Sequence, residues 1–279
     1  MTGCDPPPAT GAMDAHVRDA LEYFADLGYE DLLVRPVGGS PAAASGPPSG
    51  GARAAARSAP ELGATPPAGG IESRDRARAD PDDPDRAERR TRLETLREEA
   101  VVCTACALAP TRTHVVFGSG DPDADLMFIG EGPGYHEDQQ GLPFVGAAGE
   151  LLTRIIEAIG LERDQVYIAN VVKCRPPNNR DPRPEEVAAC IGFLRGQIRM
   201  VQPRVIVALG RIAAQTLLSS SAPIGRLRSR WHELEGIPLR VTYHPAALLR
   251  NPSLRRPTWE DMQVVRDWLG DPGTLAGGS

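Results

Sequence analysis

The chain has 279 residues, 41% hydrophobic and 24% charged, with a formal net charge of −6 at pH 7. That length allows one large domain or two small ones, and no run reaches the roughly 18–20 apolar residues that a membrane span needs. Five cysteines is an odd number, and the N-terminal MTGCDPPPATGAMD lacks a basic region followed by an apolar one. A secreted disulfide framework is therefore not expected, and metal ligation or redox chemistry in a cytoplasmic protein is.

Residues 14–35 place Val17, Leu21, Phe24 and Leu27 at helical spacing, which predicts a short helical segment within 1–35. Residues 36–83 are rich in Gly, Ala, Pro and Ser, with almost no large apolar side chains. Such a segment buries too little surface to offset its ordering entropy and is expected to be a disordered linker. The charged stretch 84–100, with Leu93, Leu96 and Val101, predicts a helix opening a compact domain over 84–272, followed by a disordered tail at 273–279.

Within that domain the chain alternates. Strand-like runs at 125–130, 166–172, 205–210 and 239–243 are interspersed with helical patterns at 147–160, 184–201, 211–219 and 259–269. Continuous apolar strands separated by helices predict an α/β fold whose mostly parallel sheet is covered on both faces. The link from the first strand to the next helix, GEGPGYHEDQQGLPFVG, is long. It uses about fifteen residues where two to six suffice, and long ordered loops at the carboxyl end of an α/β strand are where ligands sit.

The charge is unevenly divided. Residues 1–99 hold 18 acids and 12 arginines, whereas 204–256 hold nine arginines and two glutamates. Clustered arginine is the electrostatic footprint of phosphate binding. Lys173 is the only lysine in the chain, so a coding bias accounts for Arg over Lys but not for the local excess over acids.

Two constellations carry chemistry. Cys103 and Cys106 form a CxxC, Cys174 follows the second strand, and Cys190 lies in the helix at 184–201. Four thiolates make a tetrahedral sulfur site that suits zinc or an iron–sulfur cluster equally well by ligand type. Cys4 lies in the N-terminal segment and is not counted among them. The second constellation is polar: Glu131 follows the first strand, Asn170 sits late in the second, and His244 follows the fourth. In a parallel sheet such ends converge on one edge, where an acid, an amide and an imidazole, with Phe144 to stack, would form a pocket for a flat polar heterocycle.

Together, GEGPGYHED, GLPFVGAAGELL, YIANVVKCRPPNNRDPRPEE and HPAALLR resemble the uracil-DNA glycosylase superfamily, specifically its iron–sulfur family 4. The resemblance covers about residues 95–270. It implies a three-layer α/β/α domain, a 4Fe-4S cluster on Cys103, Cys106, Cys174 and Cys190, and a pocket of Glu131, Gly132, Glu137, Phe144, Asn170 and His244. The implied activity is flipping uracil out of single- or double-stranded DNA and hydrolysing its glycosidic bond, by a monomer. By the same resemblance Gly132 lets the backbone approach the base, and Asn170 reads its edge. His244 stabilises the leaving anion, and Glu131 or Glu137 orients water or the loop. Arg226, Arg228, Arg230, Arg250, Arg255 and Arg256 would meet phosphates. Leu248 or Leu249 would wedge into the gap left by the flipped base.

Three alternatives stand beside this reading. A related branch captures uracil-DNA covalently through a histidine in a basic insertion, but KCRPPNNRDPRPEE runs through without one. The GxGxG at 130–134 is similar to a dinucleotide-binding turn, although Pro133 interrupts it and no helix is expected at once. The third is a zinc-stabilised domain without activity.

Overall fold

The computed structural model describes residues 84–270, which fall inside a single compact unit. The expected N-terminal helix and linker and the tail at 273–279 lie outside the described residues. In chain order the elements are α1 (Pro84–Val101), β1 (Ser119–Gly120), β2 (Leu126–Gly130), α2 (Tyr135–Gln140), α3 (Ala147–Ala158) and β3 (Tyr167–Asn170). There follow α4 (Pro184–Val201), β4 (Val205–Leu209), α5 (Arg211–Leu217), α6 (Ile224–Leu227), β5 (Trp231–Leu234), β6 (Ile237–Thr242), α7 (Pro245–Arg250) and α8 (Arg255–Gly270).

The strands form one sheet in the order β1-β3-β2-β4-β6-β5. The four inner strands are parallel and every residue in them is buried, as helices on both faces require. The two edge strands run antiparallel and carry no long apolar run, so periodicity alone does not announce them. β5 joins β6 through Glu235 and Gly236, both with positive φ, a tight turn of the kind that matches strand twist.

The chain runs from β2 outward to β3, then crosses back to β4 on the other side of β2. This reversal beside β2 is the switch point at which open α/β sheets leave a crevice beyond the strand ends. Register places Gly130 directly beside Asn170 at that end. α1 belongs to the domain: Leu93 is buried, and Leu96 lies so close to α4 that a Cβ on Gly196 would come within 2.6 Å of it. Arg86 and Arg90 also donate to Asp123 from α1, at 2.8 and 2.6 Å.

Candidate active site

Four strand ends meet at one cavity of about 520 Å³. Glu131 comes from β2, Asn170 from β3, Gly210 from β4 and His244 from β6, with Phe144 and Gly132 from the long loop. All six pocket positions expected from sequence, Glu137 included, line this cavity.

The loop is held by devices that its sequence does not display. Phe144 is buried yet adopts φ of +52°, a costly conformation for an aromatic residue that persists only when its surroundings enforce it. Arg163 donates to the carbonyls of Pro143 and Phe144 at 2.8 and 3.0 Å. Gly149 is small for the same reason, since a Cβ there would stand 1.8 Å from the Phe144 carbonyl oxygen. Gly130 plays the matching part from β2, where a Cβ would meet Asn170 Oδ1 at 2.4 Å and Phe144 Cζ at 2.7 Å. Gly132 lines the cavity as expected, and its lack of a side chain also has an internal cause: a Cβ would meet Val172 Cγ2 at 2.7 Å.

Glu137 has a definite task. Its carboxylate accepts from the backbone N–H of Gly134 at 3.1 Å, Val145 at 2.9 Å and Gly146 at 3.1 Å. It cross-links both halves of the loop. The expectation that no helix follows GEGPG at once is corrected, because α2 starts at Tyr135. That helix has only six residues, and Glu137 folds back on its entry.

Asn170 is 1% exposed, and its side-chain oxygen has no hydrogen-bond partner. A buried acceptor without a protein partner costs about 1–3 kcal/mol unless water or a ligand from the adjoining cavity meets it. Its backbone carbonyl accepts from Lys173 Nζ at 2.8 Å, and the same ammonium donates to Gln197 Oε1 at 2.5 Å. Burial pushes Lys173 down to about 7.

His244 caps α7: its Nδ1 accepts from the Ala246 N–H at 3.2 Å. A backbone amide can only donate, so Nδ1 is bare and the proton of the neutral ring sits on Nε2. Burial, aided by Arg250 and opposed by Glu137, pushes His244 down to about 4, so the ring is neutral at physiological pH. It stacks on Phe144 with ring centres 5.4 Å apart and planes 29° apart. Gly210, at φ of +89°, lets this arrangement pass, since a Cβ there would lie 2.9 Å from His244 Cβ. Glu131 is half-buried, and burial, reinforced by Asp181 and opposed by Arg211, raises its carboxyl to about 7. Asp181 and Arg211 pair at 2.6 Å on the cavity rim.

The four cysteines also come together, around a second, smaller hollow between the end of α1, the segment after β3, and α4. Among the described residues no three His, Cys, Asp or Glu side chains close to the spacing of a single-ion site. The Lys173 backbone N–H donates to Cys190 Sγ at 3.3 Å, and Arg112 donates to Cys174 Sγ at 3.4 Å and to the Cys103 carbonyl at 2.7 Å. Burial raises the Cys174 thiol to about 11 and pushes Cys190 up as well.

The arginines divide. Arg226, Arg230 and Arg250 are exposed, and Arg250 lines the cavity. Arg228 is not a surface cation: it donates to Asp261 at 2.8 Å and to the Pro257 carbonyl at 2.6 Å, with its guanidinium 4.5 Å from the Tyr243 ring centre. Its expected phosphate contact is thereby corrected. Arg255 is half-buried, and Arg256 pairs with Glu260 at 3.3 Å. Leu248 is 2% exposed and belongs to the core, whereas Leu249 is 44% exposed.

The cavity at the switch point of this doubly wound sheet is thus furnished with an amide oxygen that has no protein partner, a neutral imidazole and a buried aromatic ring. A family model described as the uracil DNA glycosylase superfamily matches residues 117–264. The chain is 47% identical over 184 residues to the type-4 uracil-DNA glycosylase of Sulfurisphaera tokodaii, covering 63% of this chain and 84% of that one. It is 44% identical over 186 residues to the type-4 enzyme of Archaeoglobus fulgidus, covering 64% and 94%. A type-5 uracil-DNA glycosylase of Pyrobaculum aerophilum is 33% identical over 177 residues, covering 56% and 76%. The chain belongs to the uracil-DNA glycosylase superfamily. Within it, the resemblance is to the type-4, iron–sulfur branch.

Proposed function

We propose that this protein excises uracil from DNA by flipping the nucleotide into the 520 Å³ cavity and hydrolysing its glycosidic bond, which leaves an abasic site. The observation that carries the reading is the buried, partnerless Oδ1 of Asn170 in the same lining as the Nε2–H of His244. An enzyme cannot reach the bond inside a base stack, so the base is extruded at a cost of a few kcal/mol. Asn170 Oδ1 then accepts from uracil N3–H, and its amide donates to O4. Cytosine reverses that order and leaves buried polar groups unpaired, which rejects it strongly. Phe144 stacks on the base.

As the bond breaks, negative charge develops at uracil O2. The neutral His244 ring offers Nε2–H to it, a donor that is fixed in place by its own helix cap and stabilises the charge without giving up its proton. Glu131, in its carboxylate form, orients and deprotonates the attacking water. Its raised pKa leaves it half-ionised near neutrality, where a general base works best. Glu137 does not touch water in this account; it shapes the loop.

The four thiols fit a 4Fe-4S cluster on Cys103, Cys106, Cys174 and Cys190. They surround a hollow, and N–H donors aimed at two of the sulfurs suit thiolates better than neutral thiols. The cluster would supply structure, tying the end of α1 to the segment after β3 and turning its binding energy into folding energy. Residues 84–272 would form the catalytic unit, a reading supported by the bonds from Arg86 and Arg90 of α1 to Asp123. The test is incubation with a uracil-containing oligonucleotide and alkaline cleavage at abasic sites. Cleavage at uracil and not at thymine supports the reading, and an intact strand overturns it.

A further inference from the structure

At the rim of the cavity stands an exposed aromatic that the chemistry above does not use. Tyr135 opens α2 beside Gly134, a cavity-lining residue, yet is itself 53% exposed. A single exposed ring is common on protein surfaces, so it is the placement of Tyr135 at the cavity mouth, and not its exposure alone, that matters. It is also built in place. The Arg175 guanidinium lies 5.1 Å from its ring centre, and Arg175 Nε is in turn held by Asn179 Oδ1 at 2.7 Å. His136 packs edge-on, with ring centres 5.5 Å apart and planes 80° apart. The platform is anchored in the cavity wall, since Pro176, next to Arg175, and Asn179, its hydrogen-bond partner, both line it.

Extruding a nucleotide leaves its neighbour in the strand with a bare π face and a phosphate close to the cavity mouth. Aromatic side chains stack on such faces without regard to sequence, and a guanidinium beside the ring adds charge complementary to the backbone. We propose that Tyr135, backed by Arg175, is a stacking platform for the base next to the flipped uracil, a DNA subsite distinct from the uracil pocket. This inference rests on the uracil-excision reading.

The test uses the full chain and oligonucleotides carrying 2′-fluorinated deoxyuridine, whose glycosidic bond resists cleavage. Each base flanking the uracil is replaced in turn by an abasic residue, and binding is measured for the wild type and for Tyr135→Ala, Tyr135→Phe and Tyr135→Trp. In the wild type, removing one particular neighbour should weaken binding by about tenfold to a hundredfold, the usual worth of one stacked base. Tyr135→Ala should show that loss already with the intact strand and should lose nothing more when the base is removed. Tyr135→Phe and Tyr135→Trp, which keep a ring, should behave as the wild type. Undiminished sensitivity in Tyr135→Ala, or no sensitivity at any flanking position in a wild type that prefers uracil over thymine strands, would overturn the platform alone. A wild type with no preference for uracil would remove the excision reading and this inference together.

Discussion

Replacing His244 by alanine removes two separable things. The first is the Nε2–H aimed at the developing charge, and loss of such a donor costs about 10²–10³ in rate, or about 3–4 kcal/mol of barrier. The second is the cap on α7, where Ala246 N–H would lose its 3.2 Å acceptor. A lost cap costs typically about 1 kcal/mol of stability. His244→Ser separates the two, because a serine hydroxyl caps a helix but is too short to reach a base. The serine variant should recover most of the stability in urea unfolding while remaining about 10²–10³-fold slow under single-turnover conditions on a uracil oligonucleotide. DNA affinity should hardly change in either variant, since the donor matters mainly in the transition state. A stable His244→Ser enzyme excising uracil within about tenfold of the wild type would show that the imidazole is a cap and nothing more.

Excision should rise with pH through about 7 as Glu131 ionises, while His244, held at about 4, stays neutral throughout. Glu131→Gln should lose both the slope and most of the rate, and a wild-type rate that is flat from about pH 5.5 to 8.5 would take water activation away from Glu131. Gly130→Ala puts a Cβ 2.4 Å from Asn170 Oδ1, so uracil excision should fall at least as far as the overpacking cost of about 1–3 kcal/mol seen in urea unfolding. Unaltered kinetics would mean that strand end has room to spare. Cys174→Ala should lower iron content, the broad absorbance near about 400 nm and the melting temperature together. An iron-free variant as stable as the wild type would remove the structural role of the cluster. Arg250→Ala should reduce the salt slope of DNA binding by about one unit, whereas Arg228→Ala should leave the slope alone and destabilise the fold, because Arg228 neutralises a buried aspartate. Equal slopes for the two variants would contradict that division.

The parallel core is legible in the sequence because its strands are unbroken apolar runs: the run at 205–210 matches β4 to within one residue, and the helical pattern at 184–201 matches α4 throughout. β1 and β5 are not legible, since two-residue and edge strands carry no periodic signal, although the Glu235–Gly236 turn is a trace of the β5–β6 hairpin. Motifs and strand ends are enough to pick out six residues that line one cavity, yet the contacts each makes there need geometry. Nothing in the string GLPFVG says that Phe144 sits at positive φ, or that Arg163, nineteen residues on, holds its carbonyl. Equally, one arginine looks like another in sequence. Only the partners of Arg228 show it to be part of the core, and only burial separates Leu248 from Leu249.

The most direct test of the account is Asn170→Asp, assayed for uracil release in single turnover beside the wild type. The substitution barely changes shape but replaces the amide donor with a second acceptor, which faces uracil O4 with repulsion. The account predicts collapse of uracil excision by at least the 10⁴–10⁵-fold, roughly, that separates paired from unpaired buried polar groups in discriminating sites. Near-normal uracil release from a folded Asn170→Asp enzyme would contradict the reading of the base edge by Asn170, and with it the assignment of this cavity.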